Sequence, residues 1–257
     1  MAGGDNWRER YMDRWYSRAG GWTDGTTKFH EMCREAVRGA QENPSLLEIG
    51  AGPPNPSSDF FAALGTLTGV DVDPIVRSNP ALVNAVVVEA EELPFEDCSF
   101  DACFSSWLLE HVEDPSVHLK EVARVLKPGG RYVARTPNRY HYVSIAAAMS
   151  PHWFHRLVAN RLRALPEETH EPWPTYYRLN TRRAITRSAA DSGLRVSSIV
   201  LIESEPSYGF AARPLFLLLM AYERLVNSTP LLEGLRHTVN VVFDKPGPSG
   251  EKEVGLD

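Results

Sequence analysis

The sequence predicts an α/β fold, a doubly wound and mostly parallel seven-stranded sheet with a helical lid and a C-terminal insertion. Three observations predict it. Short apolar runs alternate with helix-period stretches between Ser45 and Arg135, the signature of βαβ units that pair in parallel. The first run feeds straight into Gly50-Ala51-Gly52, and the second is closed by Gly69-Val70-Asp71, as in sheets that bind ligands at their carboxyl edge. Beyond residue 190, Arg195–Ile202 and Thr238–Phe243 supply two closing strands, with Ser207–Glu233 inserted between them.

Taken in order, Thr26 to Gln41 reads as a helix that stops at the breaker pair Asn43-Pro44. Ser45–Ile49 is a strand, Asp59–Leu64 is helical, and Leu67–Val72 is the second strand. Asp73-Pro74 is a helix-start device, because aspartate caps and proline suits a first turn. Ala85–Val88, Phe100–Ser105 and Arg131–Arg135 are strands three to five. Between the last two, Ser116–Leu126 sets Val117, Val122, Val125 and Leu126 on a helical face. Lys127-Pro128-Gly129-Gly130 then reads as a helix stop and reversal with no chemistry of its own. Past Pro137 the rhythm changes to a helix over Pro151–Leu165 and a loop rich in proline and acid over Pro166–Pro174. A helix over Thr181–Ser192 follows, capped by Asn180 or Thr181 and closed by Gly193. Residues 1–44 are expected to be a lid segment and 45–245 the main domain, with 139–180 and 203–235 as substrate-cap insertions. The polar stretch 246–257 reads as a disordered tail.

Bulk properties narrow the function. The chain has 257 residues, 43% hydrophobic and 23% charged, with a net charge of -6, and its pI is near 5.8. That balance argues against a protein living on phosphate backbones, although Arg178, Arg182, Arg183 and Arg187 form a local basic run. Cys33, Cys98 and Cys103 are odd in number and form no CxxC, which suits a reducing compartment and neither a disulfide framework nor a zinc site. The polar start has no secretory apolar region, and the longest apolar run, Leu215–Tyr222, is far too short to span a bilayer. A cytoplasmic location with no membrane span is expected.

The sharpest feature is Leu46-Leu47-Glu48-Ile49-Gly50-Ala51-Gly52, followed nineteen residues past Gly52 by Asp71. Missing side chains let backbone approach a ligand closely, and a carboxylate at the end of the next strand can accept both hydroxyls of a ribose. Together they indicate an adenosine-type cofactor. Gly52 runs into Pro53-Pro54-Asn55-Pro56, which lack several donor N–H groups and make a phosphate cradle unfavourable. Glu48 would repel a pyrophosphate but attract the ammonium of a methionine moiety, directly or through water.

With these residues in view, the chain resembles the class I S-adenosylmethionine-dependent methyltransferases, whose fold is Rossmann-like. Glu48-Ile49-Gly50-Ala51-Gly52 is similar to their acidic-x-Gly-x-Gly loop and Gly69-Val70-Asp71 to their ribose-binding strand end. The resemblance continues through Val88-Glu89-Ala90-Glu91-Glu92-Leu93-Pro94-Phe95 and Ser99-Phe100-Asp101. It ends with Leu109-Glu110-His111-Val112, Glu121–Leu126 and Lys127-Pro128-Gly129-Gly130-Arg131, covering about residues 45–138. It implies S-adenosylmethionine as cofactor, held by Glu48, Gly50, Ala51, Gly52, Asp71, Val72 and Ser105. Glu89, with Ala90 and Glu91 beside it, is implied near the adenine. Two departures stand out: Glu89 where aspartate is usual, and Pro54 where another glycine is common.

Candidate catalytic residues are His111, after the fourth strand, and His141, after the fifth; both positions face the ligand edge, and packing roles compete for each. His152, His155 and His170 lack a compact carboxylate set, so no metal is expected. Ser105 and Ser106 lack a nucleophile elbow. Trp7, Tyr11 and Trp15 lie four apart, giving a helix one aromatic face that either packs on the domain or lids the cofactor cleft. The expected activity is O- or N-methylation of a small-molecule acceptor, a specialised metabolite or a glycan- or lipid-linked precursor, with no nucleic acid as partner. The rival is a non-catalytic cofactor- or partner-binding protein that keeps the fold. A nicotinamide dehydrogenase is disfavoured by Glu48 and the prolines.

Overall fold

The computed structural model describes residues 6–89, 92–149 and 173–247. The expected helix over 151–165, most of the loop that follows it and all but the first residues of the tail lie outside them. The described chain forms two compact units, one from residues 1–28, 138–173 and 201–238, the other from 29–137, 174–200 and 239–257.

The second unit carries the sheet. Its strands are β1 Ser45–Ile49, β2 Thr66–Asp71, β3 Asn84–Val87, β4 Phe100–Ser106, β5 Leu126–Pro137, β6 Arg195–Ile202 and β7 Thr238–Asp244, in the order β3-β2-β1-β4-β5-β7-β6. The pairs β1–β2, β1–β4, β2–β3 and β4–β5 are parallel. Arg195 and Ser197 reach Asp244, whereas Asn240 reaches the Val200 carbonyl, so β7 runs against β6. Backbone bonds between Gly129 or Gly130 and Lys245, and between Asn138 and His237, run β7 against β5 as well. The sheet is therefore seven-stranded and mixed, with six strands running one way and β7 alone reversed.

β1 buries Leu46, Leu47, Glu48 and Ile49 in succession, the near-continuous burial expected of a parallel strand covered on both faces. One face packs a cluster of Phe29, Cys33, Leu46, Phe61, Leu67, Ala102, Phe104 and Val133. Phe29 and Cys33 come from helix α2, Gly25–Ala36. Most of this helix thus belongs to the sheet's core, which differs from a division at residue 44.

Local chemistry starts the helices. Asn55 Oδ1 accepts from the N–H groups of Ser57 and Ser58, both at 3.0 Å, and opens α3, Pro56–Ala62. Asp114 caps α4, Pro115–Val125, in the same way. Asp73 Oδ1 accepts from Ile75 N–H at 2.9 Å and starts a 3-10 turn, Pro74–Ser78. Thr181 caps Arg182–Ala190 through Ala184 N–H; we number that helix α6.

The Lys127–Gly130 stretch is not a turn between helix and strand. β5 begins at Leu126, paired with Phe100, and the next pair is Ala102 with Arg131. Four residues therefore oppose one in an enlarged bulge. Gly129 takes a φ of +84°, and a Cβ on Gly130 would lie 2.8 Å from the Asp101 carbonyl oxygen. Lys127 Nζ closes the bulge on Asp101 at 2.8 Å.

The first unit is helical. Helix α1, Trp7–Trp15, sets Trp7 and Tyr11 edge-on to Phe216 at 5.4 and 5.7 Å. Phe216 belongs to α7, Arg213–Ser228. The N-terminal aromatic stripe thus packs on α7. Helix α5, Tyr142–Met149, was not expected from the sequence, because its apolar residues show no helical period.

Candidate cofactor and active site

The carboxyl ends of β3, β2, β1 and β4 lie side by side, which is where an open α/β sheet binds its ligand. β1 delivers Glu48 and the glycine loop. Gly50 has a φ of +75° and Gly52 one of +58°, a conformation that a side chain makes costly. A Cβ on Gly50 would also approach Leu108 Cδ1 to 3.0 Å. The turn therefore lies tight against the segment leaving β4.

The loop's amides point inward. Gly50 and Ala51 N–H both donate to the Val70 carbonyl, at 2.8 and 3.1 Å, and Gly52 N–H donates to Asp71 Oδ2 at 2.9 Å. Pro53 and Pro54 have no N–H to offer. This turn holds no row of free donors for a pyrophosphate. It instead presents carboxylates, whose chemistry suits hydroxyls and an ammonium group.

Asp71 is half-buried, and its Oδ1 accepts from Asp73 N–H at 2.9 Å. Each oxygen retains a second lone pair for a ribose hydroxyl. Glu48 is not a solvated strand-end charge: it is 2% exposed. Ser58 donates its hydroxyl to Glu48 Oε2 at 2.7 Å. Burial, with the Asp71 charge adding to it and the Ser58 bond opposing, pushes the Glu48 carboxyl up to about 7. Two neighbouring carboxylates, one short of solvent, make a place where a cation is favoured.

The remaining residues expected at the site separate. Val72 and Glu89 are exposed at the ends of β2 and β3, whereas Ala90 and Glu91 lie outside the described residues. Ser105 is fully buried and shares a 2.6 Å hydrogen bond with Tyr132 Oη, which also meets His118 Nε2 at 3.2 Å. Its hydroxyl is committed to the core beneath β4 and β5, so no cofactor contact is read for that side chain. His111 is half-buried, with Nδ1 2.7 Å from the Pro174 carbonyl. A carbonyl only accepts, so Nδ1 carries the proton and a neutral ring keeps its Nε2 lone pair.

His141 belongs to the other unit and is 1% exposed. Burial pushes it down to about 3, so it is neutral. Its Nδ1 accepts from Val143 N–H at 3.3 Å, and Nε2 lies 3.4 Å from Glu203 Oε2 without a well-formed hydrogen bond. That environment is a packed interior. His152, His155 and His170 lie outside the described residues. Arg178 and Arg182 donate to the carbonyls of Glu113 and Ile199, so at least two members of the basic run are tied to their own backbone.

Three contributors were not singled out as site residues from the sequence. Arg124 clasps the segment after β3, donating to the Leu93 and Phe95 carbonyls at 2.8 and 2.7 Å, while Glu121 accepts from Leu93 N–H. Glu110, buried and raised by that burial, accepts from Thr136, which in turn is met by Asn180. Trp107 leaves β4 with a φ of +61°. Each partnership spans 26 or more residues or depends on a backbone angle, and the pointers along the chain were the places of Glu110, Glu121 and Arg124 in the resemblance.

The family described as a methyltransferase domain matches residues 47–134, the span that contains this edge. Residues 47–134 thus carry a methyltransferase domain, and the fold is that of the class I S-adenosylmethionine-dependent methyltransferases. The cofactor of that domain family is S-adenosylmethionine, and the acidic loop and Asp71 of this chain fit it. Similar proteins include an uncharacterised 37.1 kDa protein of transposon TN4556 from Streptomyces fradiae, 27% identical over 71% of this chain and 52% of that one. A ubiquinone biosynthesis O-methyltransferase of Pseudomonas putida is 29% identical over 72% and 82%. Among solved structures, geranyl diphosphate C-methyltransferase from Streptomyces coelicolor, bound to S-adenosyl-L-homocysteine, shares the fold. Its TM-score is 0.52 at 17% identity, over 84% of this chain and 74% of the other. The chain spans 52%, 30% and 42% of the length of three curated relatives it matches. No described helix is long and apolar enough to cross a membrane.

Proposed function

We propose that this chain transfers a methyl group from S-adenosylmethionine to oxygen or nitrogen of a small-molecule acceptor. The observation that carries the reading is the inward-turned glycine loop between two carboxylates, Glu48 and Asp71. S-adenosylmethionine supplies an activated methyl, so the protein has to align the acceptor and exclude water. Asp71 holds the ribose and Glu48 the methionine ammonium. Glu89, with Ala90 and Glu91, lies on the adenine side, where Arg124 fixes the Leu93–Phe95 backbone. The acceptor gains a carbon bond as the methyl–sulfur bond breaks, and any proton it loses goes to a base; His111, with its free Nε2 lone pair, is that base.

Relatives named for ubiquinone biosynthesis and for geranyl diphosphate methylation favour a metabolite with an extended apolar part. Acceptor choice is assigned to residues outside 45–138, where the family resemblance fades. Calorimetry with S-adenosylmethionine and S-adenosylhomocysteine, followed by a screen for methyl-labelled products in extract of the native source, tests the reading. Binding of both cofactor forms with a labelled product is expected. Binding with no product from any fraction favours the second reading, a non-catalytic protein that keeps the fold, for which the Gly52-Pro53-Pro54 departure speaks. Absence of binding removes both the cofactor and the reaction.

A further inference from the structure

Within the first unit, α1 and α7 enclose a groove of about 500 Å³. Arg10 and Arg14 of α1 and Arg213 of α7 line it, with no carboxylate among the lining residues. Two arginines one turn apart on a helix repel each other, and a third faces them across the groove. Aromatic rings hold two of these guanidinium groups in place: Arg14 lies 5.0 Å from the Trp15 ring centre and Arg213 5.6 Å from that of Tyr11.

The groove opens beside an apolar face. Leu218 is 66% exposed and Leu225 57%. They lie seven residues apart on one side of α7, which Pro214 and Ala221 share. Glu223, the acid of this helix, is buried and bonded to Tyr16 and Asn227. On the same unit Trp15 is half-exposed and Leu231 is 93% exposed. The described residues of this unit carry nine basic and seven acidic side chains, whereas the whole chain is net -6. Glu203 and Glu223 are two of the seven and both are buried. The outer surface is therefore more basic than the count.

We propose that this face docks peripherally on an anionic lipid surface, with Leu218 and Leu225 entering the headgroup boundary and Arg14 and Arg213 engaging lipid phosphates. A basic fringe flanking leucines and a tryptophan is the arrangement by which helices lie in an interface. Charge complementarity selects a bilayer over a second copy of this chain, which would bring the same arginines face to face. The inference stands apart from methyl transfer and does not depend on it.

Cosedimentation of the full chain with sucrose-loaded vesicles tests it. Vesicles of equimolar phosphatidylcholine and phosphatidylglycerol should bind at least ~10-fold more tightly than phosphatidylcholine alone, with the difference abolished at high salt. Arg14→Glu with Arg213→Glu should weaken binding by about 10-fold or more, because each basic side chain near an anionic surface adds to the attraction. Leu218→Ser with Leu225→Ser should weaken it comparably. All four positions are on the helix surface, and unchanged circular dichroism confirms folding. Failure to bind anionic vesicles overturns the proposal, as does binding that neither pair of substitutions weakens. If only the arginine pair matters, adsorption is purely electrostatic and the docking geometry is wrong. A dimer in sedimentation equilibrium that Leu218→Ser dissociates assigns the face to a second copy and likewise overturns it.

Discussion

Gly52 N–H donates to Asp71 Oδ2 at 2.9 Å, so one carboxylate braces the glycine turn and is also the group proposed to hold the ribose. Removing it should do two kinds of damage. Asp71→Ala should weaken S-adenosylmethionine by at least about 10-fold, since each hydrogen bond to a charged group contributes roughly 1.5–3 kcal/mol. Asp71→Asn keeps one acceptor oxygen and should lose less. Calorimetry on folded variants checks both, and an unchanged affinity in Asp71→Ala removes the ribose assignment.

Glu48 should make the proposed cofactor site pH-sensitive. Its carboxyl is raised to about 7, so the folded protein holds that proton more tightly than the unfolded chain. The stability this provides is complete below the ordinary carboxylate range and is lost as pH rises towards 7, a change on the order of 3 kcal/mol. A bound ammonium favours the ionised form. Cofactor affinity should therefore climb with pH until about 7, with a proton released on binding below that. Titrations in buffers of different ionisation heat count the proton. Glu48→Gln should bind weakly with no such slope; a slope that persists in this variant assigns the proton elsewhere.

His111 and Ser105 separate cleanly. As the base, His111→Ala should lower turnover by about 10²-fold or more while S-adenosylmethionine affinity stays put. A fall in Tm with normal turnover would mark a packing role. Ser105→Ala, by contrast, should cost about 1 kcal/mol through its lost bond to Tyr132 and leave both affinity and turnover unchanged.

Two glycines should respond differently to alanine. Gly129 has open space around it and a positive φ, so Gly129→Ala should lose about 1 kcal/mol, from backbone strain alone. Gly50→Ala adds the approach to Leu108, and denaturant midpoints should place its loss well beyond that of Gly129→Ala. Equal losses would mean that Leu108 yields freely and that the turn is looser than described.

The parallel half of the sheet was legible because apolar runs, glycine turns and capping residues are local signals; β1 and β6 begin and end where the sequence places them. The placing of Asp71 and Glu48 beside the glycine turn was legible through spacing; their contact with a cofactor is proposed. The start of β5 was not, because Lys-Pro-Gly-Gly reads as a turn and only the register with Phe100 shows it to be a bulge. The burial of Ser105 was hidden for a similar reason. Whether a strand-end hydroxyl faces ligand or core is settled by Tyr132 and His118, partners 27 and 13 residues away. His141 illustrates the same limit, since its burial against Glu203 follows from a partner 62 residues distant.

The inward turn of the Gly50, Ala51 and Gly52 amides has a bearing on life among competing metabolites. Cells hold adenosine compounds such as ATP and NADP, whose adenosine half is the one this edge is proposed to receive. A loop that spends its donors on Val70 and Asp71 has nothing left with which to greet their phosphates, and its two carboxylates turn those anions away. On the proposed reading, discrimination is built into the resting protein as a refusal, and it requires no closing movement to take effect.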